Sequence, residues 1–310
     1  MTSTPTEPPE WPGPPRFLPP PEPTRWADGS RHYSGVTYAV PVGYRPLQLD
    51  LWVPEASAPP PLAVWIHGGA WLFGDRRYLP ETLRPNQLFD ESLAAGLAIA
   101  SIDYRHSREA PFPAQLHDAK AAIRYLRAHG GELGIDTGRI GVWGESAGGH
   151  LAALVGLTGD RSELAGDLGV VGPSSSVDAV VDWYGPSDLA VMQAKNPPPE
   201  IAATLPPELL FPERVLVEGA DEASRIAASP VNLVSPHAPP FLLVHGTGDQ
   251  VVPFAQSELL ADALAAAGVP VRLVPVEGAD HIFDGYSDVD GLVRISVEYL
   301  AEALRKEPDE

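Results

Sequence analysis

The chain has 310 residues, 44% of them hydrophobic, which suits one large α/β domain with a well-buried core. Its formal net charge of −20 argues against nucleic-acid binding, which needs Lys and Arg for the phosphates, and against docking on anionic lipid. The absence of cysteine excludes disulfides, thiolate metal sites and a cysteine nucleophile.

The first 30 residues are rich in proline and carry two tryptophans, Trp11 and Trp26. Because proline removes backbone donors and holds the chain extended, we predict a disordered arm over residues 1–30. The tryptophans offer an alternative, in which the arm lies against the body. No positively charged segment followed by an apolar run starts the chain, and no run reaches the roughly 18 apolar residues of a membrane span. We therefore expect a cytoplasmic protein without membrane insertion.

From about residue 36 the chain alternates strand-like apolar runs with helix-like segments. Several runs are continuously apolar, which is typical of strands buried on both faces of a mostly parallel sheet. The segments 114–129 and 254–267 have helical patterns, and Gly268 and Pro270 end the second. This alternation predicts a doubly wound α/β sheet with helices on both faces. The predicted strands are 36–40, 47–53, 62–66, 97–102, 140–143, 177–183, 241–244 and 271–276.

One stretch, from about residue 187 to 236, separates two predicted strands by far more than an ordinary connection. It contains the proline-rich segment NPPPE and a weakly helical segment after it. Long insertions in compact domains are usually lids or binding elements. We predict a small cap over the functional site, inserted into a main domain of residues 31–310.

The string Gly144-Glu145-Ser146-Ala147-Gly148 follows a strand-like segment and precedes a helix-like one. G-x-S-x-G alone is a weak signal, but in this context it predicts a strand-turn-helix elbow that exposes a serine nucleophile. The small flanking residues avoid clashes with the neighbouring strand and helix. The helix N-terminus also directs free amides at developing negative charge.

A second glycine-rich string, His67-Gly68-Gly69-Ala70-Trp71, directly follows the predicted strand 62–66. Acyl transfer requires backbone N–H groups that converge on an oxyanion. We predict that these donors come from Ala147, the residue after the serine, and from this turn, where Gly68 and Gly69 let the backbone approach a ligand closely. We expect His67 to brace this turn and not to act as a base.

A serine nucleophile on this scaffold needs an acid and then a base later in the chain. Asp249 ends the strand-like segment FLLVHGTGD, and His281 lies in a loop after the last predicted strand. Both therefore fall at the carboxyl edge of a parallel sheet, where ligands bind. We predict that His281 is the general base and that Asp249 orients it.

Other acids and bases fit these roles less well. His150, four residues after the serine on the elbow helix, is expected to be a packed residue. Glu277 and Asp280 lie too close to His281 in sequence to brace its ring comfortably, and Asp103 precedes the serine.

These segments, with DYRHS and the segment SPVNLVSPHAPPFLLVHGTGDQVVP, resemble the esterase branch of the α/β-hydrolase fold. The chain is most similar to hormone-sensitive-lipase-like carboxylesterases and to bacterial feruloyl/acetyl-esterase-like enzymes, over roughly residues 45–305. The resemblance implies an α/β-hydrolase fold, a Ser146–Asp249–His281 triad, and an oxyanion hole of amides among Gly68, Gly69 and Ala70 plus Ala147. We expect no cofactor, and no HExxH or EF-hand pattern predicts a metal site. The family's commoner HGGG reads HGGA here; Ala70 keeps its N–H, but its methyl group narrows the site.

The resulting hypothesis is a serine esterase that acts on a small-molecule ester, with a formamide hydrolase of arylformamidase type as the alternative. A non-catalytic binding protein on the same fold is a third reading, because fold does not fix function. Aromatic residues near the expected strand ends form either a substrate pocket or core: Trp71, Phe73, Trp183 and Tyr184. The sequence does not predict the oligomeric state.

Overall fold

The computed structural model describes residues 15–159, 161–192, 210, 212–217 and 221–305. Within these ranges the chain forms a single nine-stranded sheet in the order β1-β2-β3-β5-β4-β6-β7-β8-β9. The strands are β1 Thr24–Arg25, β2 Arg31–Ala39, β3 Leu47–Val53, β4 Pro61–Ile66, β5 Ala98–Ile102, β6 Asp136–Glu145, β7 Ala179–Trp183, β8 Phe241–Gly246 and β9 Val271–Val276.

The sheet is parallel from β5 through β4, β6, β7 and β8 to β9. The first three strands are antiparallel and cover the β5 edge. The central strands β4 and β5 are apolar apart from the buried Ser101 and are almost fully buried, because helices cover both faces of the sheet. The parallel strands all end at one edge, which brings the loops after β4, β6 and β8 close together.

Helices pack on both faces of the sheet, as the sequence predicts. Five of the described helices contribute to one apolar core: α2, α3, α4, α5 and α7. Helices α1 and α8 share the core on the other face. The doubly wound arrangement is therefore confirmed. The helices are α1 Gln87–Ala94, α2 Ala114–Ala128, α3 Gly130–Leu133, α4 Ala147–Leu157, α5 Pro212–Leu216, α6 Glu222–Ala227, α7 Ala255–Ala266 and α8 Val289–Ala303.

Residues 15–30 differ from the disordered arm predicted for 1–30, because they pack along the sheet edge. The Leu18 amide donates to the carbonyl of Thr37 in β2, and the Tyr125 hydroxyl of α2 donates to the Leu18 carbonyl. Phe17 packs edge-on against Tyr125, at 5.9 Å between ring centroids. The non-proline residues thus supply the donors and the apolar anchor that the prolines lack. Residues 1–14, including Trp11, lie outside the described residues.

The predicted cap, 187–236, falls partly outside the described residues. Its described portion includes α5, α6 and a short 3-10 turn at Pro230–Leu233. This portion contacts the body: the Leu216 carbonyl accepts from the Phe112 amide, and the Ala228 carbonyl lies 2.8 Å from His150 Nε2. Across the described ranges, no helix combines the length and the apolar character needed to cross a membrane.

Candidate active site

Ser146 lies at the sharp turn between β6 and α4. Its backbone adopts φ 53° and ψ −119°, a strained conformation for a residue with a side chain. The flanking glycines make this turn possible: a Cβ at Gly144 would lie 2.1 Å from the Gly148 carbonyl oxygen, and a Cβ at Gly148 would lie 2.0 Å from that of Ile66. The G-x-S-x-G spacing therefore folds as the predicted elbow.

The structure brings Ser146, His281 and Asp249 into one hydrogen-bonded chain. His281 Nε2 lies 3.0 Å from Ser146 Oγ, and His281 Nδ1 lies 2.7 Å from Asp249 Oδ2. Because Asp249 faces Nδ1, that nitrogen carries the ring proton of the neutral imidazole, and Nε2 is free to accept from the serine hydroxyl. This geometry matches the arrangement that general-base activation of a serine requires.

The Asp249 carboxylate is held by more partners than the sequence indicates. Its Oδ1 accepts the backbone amides of Val251 and Val252, each at 2.8 Å. Its Oδ2 also lies 3.3 Å from Nε2 of the fully buried His245. Burial alone would raise the pKa of Asp249, but the hydrogen bonds from His245 and His281 outweigh it and hold the pKa well below its ordinary value. The carboxylate is therefore ionised and fixed.

The turn after β4 presents backbone amides next to Ser146. Gly69 has φ 100° and Ala70 has φ 55°, so successive residues adopt left-handed conformations. Among the residues that the structure describes, the Gly69 and Ala70 amides donate to no acceptor. Ala147 is the first residue of α4, so its amide has no partner inside the helix. These three donors agree with the predicted oxyanion site.

Gly68 differs from the prediction, because its amide is already used. It donates to Glu145 Oε1 at 2.7 Å, so it is not available to an oxyanion. A Cβ at Gly68 would lie 2.1 Å from the same oxygen, which explains the glycine at this position. Sequence reasoning missed Glu145, because the variable position of G-x-S-x-G carries no signal of its own.

The rings of His67 and Tyr104 pack together and support the turn after β4. The Tyr104 hydroxyl donates to the His67 and Gly68 carbonyls at 3.0 and 3.2 Å, and the two rings stack at 4.4 Å. Burial lowers the pKa of His67 to about 4, so the ring is neutral at neutral pH. His67 Nδ1 lies 2.7 Å from the Gly68 carbonyl oxygen, which agrees with the predicted bracing role.

A small apolar cavity of about 70 Å³ adjoins Ser146. Trp71, one of the four predicted pocket residues, lines it. The described residues of its wall are Ala70, Trp71, Ser146, Ala147, Pro186, Met192, Leu210, Pro212, Val251 and Val252.

The other three predicted pocket residues do not line this cavity. Trp183 is fully buried, packs against Trp143 and donates from Nε1 to Ser296 Oγ at 2.9 Å. It is therefore a core residue, because its side chain projects from β7 toward α8. Tyr184 is also fully buried, with its ring 4.9 Å from that of His281, and Phe73 is 45% exposed to solvent.

Comparisons with known proteins agree with this geometry. The BD-FAE family matches over residues 49–264. The chain belongs to the BD-FAE family. It is 34% identical to esterase LipC of Mycobacterium tuberculosis over 89% of this chain and 65% of LipC. It spans 53% and 59% of two further mycobacterial relatives, LipM and LipQ.

Solved structures extend the likeness to the whole fold of this BD-FAE member. A truncated carbohydrate esterase from gut microbiota superposes with a TM-score of 0.76 at 30% identity, covering 91% of this chain and 99% of that one. Esterase 2 of Thermogutta terrifontis, phosphorylated by paraoxon, has a TM-score of 0.66 at 26% identity, with 88% and 96% covered. The predicted α/β-hydrolase fold and the resemblance to carboxylesterases are thus confirmed.

Proposed function

We propose that this BD-FAE member is a serine esterase that hydrolyses carboxylic esters of small acyl groups through an acyl-enzyme on Ser146. One observation carries the proposal: Ser146 Oγ is hydrogen-bonded through His281 to the ionised Asp249, and it lies next to backbone amides that have no acceptor among the described residues. A nucleophile, a base with a fixed tautomer and donors for an oxyanion are what acyl transfer needs.

In the first half of the reaction, Ser146 Oγ attacks the ester carbonyl while His281 Nε2 takes its proton. The carbonyl oxygen becomes negative, and the amides of Gly69, Ala70 and Ala147 are placed to donate to it. Asp249 stabilises the imidazolium that forms. His281 then returns the proton to the leaving alkoxide, and the alcohol departs from the acyl-enzyme.

In the second half, His281 Nε2 takes a proton from water, and the resulting hydroxide attacks the acyl carbonyl. The tetrahedral intermediate collapses, Oγ leaves as an alkoxide, and the proton on Nε2 goes back to Ser146. The carboxylic acid product then departs, and the active site has returned to its starting state.

The cavity beside Ser146 favours a short acyl group. At about 70 Å³, with apolar side chains such as Trp71, Met192 and Val252 in its wall, it suits an acetyl or propionyl group better than a long chain. The wall residues that the structure describes carry no charge, which disfavours an acyl group with a carboxylate.

The comparisons favour the esterase over the formamide hydrolase. LipC is named an esterase, and the two structural neighbours are named a carbohydrate esterase and an esterase. A covalent phosphoryl adduct from paraoxon on one neighbour is the behaviour expected of an activated nucleophile on this scaffold.

The test is hydrolysis of p-nitrophenyl acetate, butyrate and octanoate by the wild type and by Ser146→Ala, with paraoxon labelling followed by mass spectrometry. We expect activity on the short esters, a loss of at least about 10³-fold in the variant, and an adduct on Ser146. Ser174→Ala is the matched control, because Ser174 precedes β7 at the opposite edge of the sheet. Absence of both turnover and labelling in the folded wild type would contradict the proposal.

A further inference from the structure

The segment from residue 185 to 189, termed the stem segment, leads from β7 into the predicted cap. All of its residues are described and they form neither helix nor strand, so its backbone amides need acceptors elsewhere. Pro186 has no amide, and each of the other amides donates to a side chain. The pairs are Gly185 to Asp182 Oδ1 at 2.8 Å, Ser187 and Asp188 to Gln256 Oε1 at 2.9 and 2.7 Å, and Leu189 to Ser229 Oγ at 2.8 Å. Side chains, and not a strand or helix ladder, therefore set the path of the stem segment.

Gln256 is the side chain that holds most of the stem segment. It lies in the first turn of α7 and is only 3% exposed. A carboxamide oxygen has two lone pairs, so Oε1 can accept the Ser187 and Asp188 amides at the same time. A further hydrogen bond joins the same two segments, because Ser187 Oγ donates to the backbone carbonyl of Gln256 at 2.5 Å. The stem segment is therefore fastened directly to the start of α7.

Both segments that Gln256 joins contribute to the wall of the acyl cavity beside Ser146. Pro186 of the stem segment lies in this wall, and so does Met192, whose amide donates to the Asp188 carbonyl at 3.0 Å. The position of the Met192 backbone thus depends on the stem segment. On the other side of the junction, residues 251–252 precede α7 and line the same cavity. The contacts of Gln256 therefore fix how far apart these two parts of the wall lie.

We propose that Gln256 is a positioning residue that sets the acyl selectivity of the site: by fastening the stem segment to α7, it keeps the cavity narrow. This proposal rests on the esterase function proposed above. Gln256 is not among the described residues of the cavity wall, so it acts through Pro186 and Met192 and does not touch the acyl group. Because the cavity holds only about 70 Å³, a small outward movement of these two side chains would admit a longer acyl chain.

Four variants separate the fastening of the stem segment from a general loss of stability. Gln256→Leu keeps a side chain of similar size but removes the oxygen that accepts both amides. Gln256→Glu keeps an oxygen in the same place, and Ser187→Ala removes only the hydrogen bond to the Gln256 carbonyl. Gln87→Leu is the matched control: Gln87 is also 3% exposed and starts α1 on the other face of the sheet, where its Oε1 accepts the Arg84 amide at 3.2 Å.

The first measurement is the ratio of kcat/KM for p-nitrophenyl butyrate over p-nitrophenyl acetate. General damage to the fold lowers both rates together, whereas a wider acyl cavity raises this ratio. We expect the ratio to rise about tenfold in Gln256→Leu and about threefold in Ser187→Ala, because each extra methylene is then less strongly rejected. Gln256→Glu and Gln87→Leu should stay within about twofold of the wild type, since both keep the stem segment fastened.

The second measurement, hydrogen exchange of peptides that cover residues 186–192, needs no turnover. Loss of the Oε1 acceptor should speed exchange of the Ser187 and Asp188 amides at least about tenfold in Gln256→Leu, but not in Gln256→Glu or Gln87→Leu. Wild-type exchange or a wild-type ratio in Gln256→Leu would overturn the proposal, as would an equal rise of the ratio in Gln87→Leu. If Gln256→Leu does not fold, a wild-type ratio in Ser187→Ala would overturn it. Failure of the wild type to react with paraoxon would instead refute the esterase function, and hydrogen exchange would still test the fastening.

Discussion

Replacement of Asp249 by asparagine tests the geometry of the acid most sharply, because the structure dictates how the amide must orient. The Oδ1 position accepts two backbone amides, Val251 and Val252, which cannot become acceptors. The asparagine oxygen must therefore stay there, and its NH₂ group must occupy the Oδ2 position 2.7 Å from His281 Nδ1. His281 then carries its proton on Nε2, which faces Ser146 and can no longer accept from it.

The expected cost follows from this forced tautomer. A serine hydrolase whose base holds the wrong tautomer loses about 10⁴-fold in kcat, or about 5.5 kcal/mol of transition-state stabilisation. The amide also places a donor 3.3 Å from Nε2 of His245, whose proton is held by the Val252 carbonyl at 2.9 Å, so the contact between residues 249 and 245 is lost. Both effects act on kcat, whereas the cavity that binds the acyl group is unchanged.

The assay is stopped-flow acylation by p-nitrophenyl acetate, with circular dichroism to show that Asp249→Asn is folded. Asp280→Asn is the matched control, because Asp280 lies beside His281 in the loop after β9 and accepts the backbone amides of Gln250 and His281 without a hydrogen bond to the imidazole. We expect the control to stay within about threefold of the wild type. An Asp249→Asn variant that keeps more than about a tenth of wild-type kcat would refute the reasoning.

Three further predictions concern the pocket, the core and pH. Met192→Ala should widen the acyl cavity and raise the ratio of kcat/KM for butyrate over acetate by about tenfold, and an unchanged ratio would place Met192 outside the acyl path. Trp183→Phe should remove the hydrogen bond to Ser296, cost about 1–2 kcal/mol in urea unfolding and leave kcat unchanged; an altered acyl preference would contradict its place in the core. Burial raises the pKa of Asp182 to about 6, above an unfolded value of about 3.9, so its ionisation destabilises the folded wild type progressively as pH rises from about 4 to 7. The stability of Asp182→Asn to thermal unfolding should therefore rise relative to that of the wild type as pH rises across that range, and a difference independent of pH would argue against a buried titration.

The fold could be predicted because its central strands are continuous apolar runs. The predicted strands 47–53 and 271–276 coincide with β3 and β9, and the others overlap their observed counterparts. The start of strand β2 was predicted wrongly, since the strand begins at Arg31 and not at Val36. Its first residues include polar side chains on an antiparallel, partly exposed strand, which lack the apolar run that identifies a buried one.

The three residues Ser146, Asp249 and His281 could be predicted because each follows a strand of the parallel sheet, in the chain order that the scaffold requires. The contacts that hold these residues and the turn after β4 in place could not be predicted from the sequence. The Gly68–Glu145 hydrogen bond and the approach of His245 to Asp249 depend on side-chain rotamers and on segments that meet only after folding. Trp183 was ambiguous for a similar reason: neighbouring residues of a strand point to opposite faces, and sequence alone does not say which face meets the cavity.

The antiparallel strand β2 has a consequence for where this chain can be cut. The recurring BD-FAE region, residues 49–264, begins inside β3 and ends inside α7. A fragment with those limits would lack the strand that covers β3, and the unpaired edge would be open to pairing with other copies. It would also lack β9, His281 and α8, so one face of the sheet would lose its cover. For expression or domain grafting, the segment that must be kept together is therefore wider than the region matched by the BD-FAE family, residues 49–264.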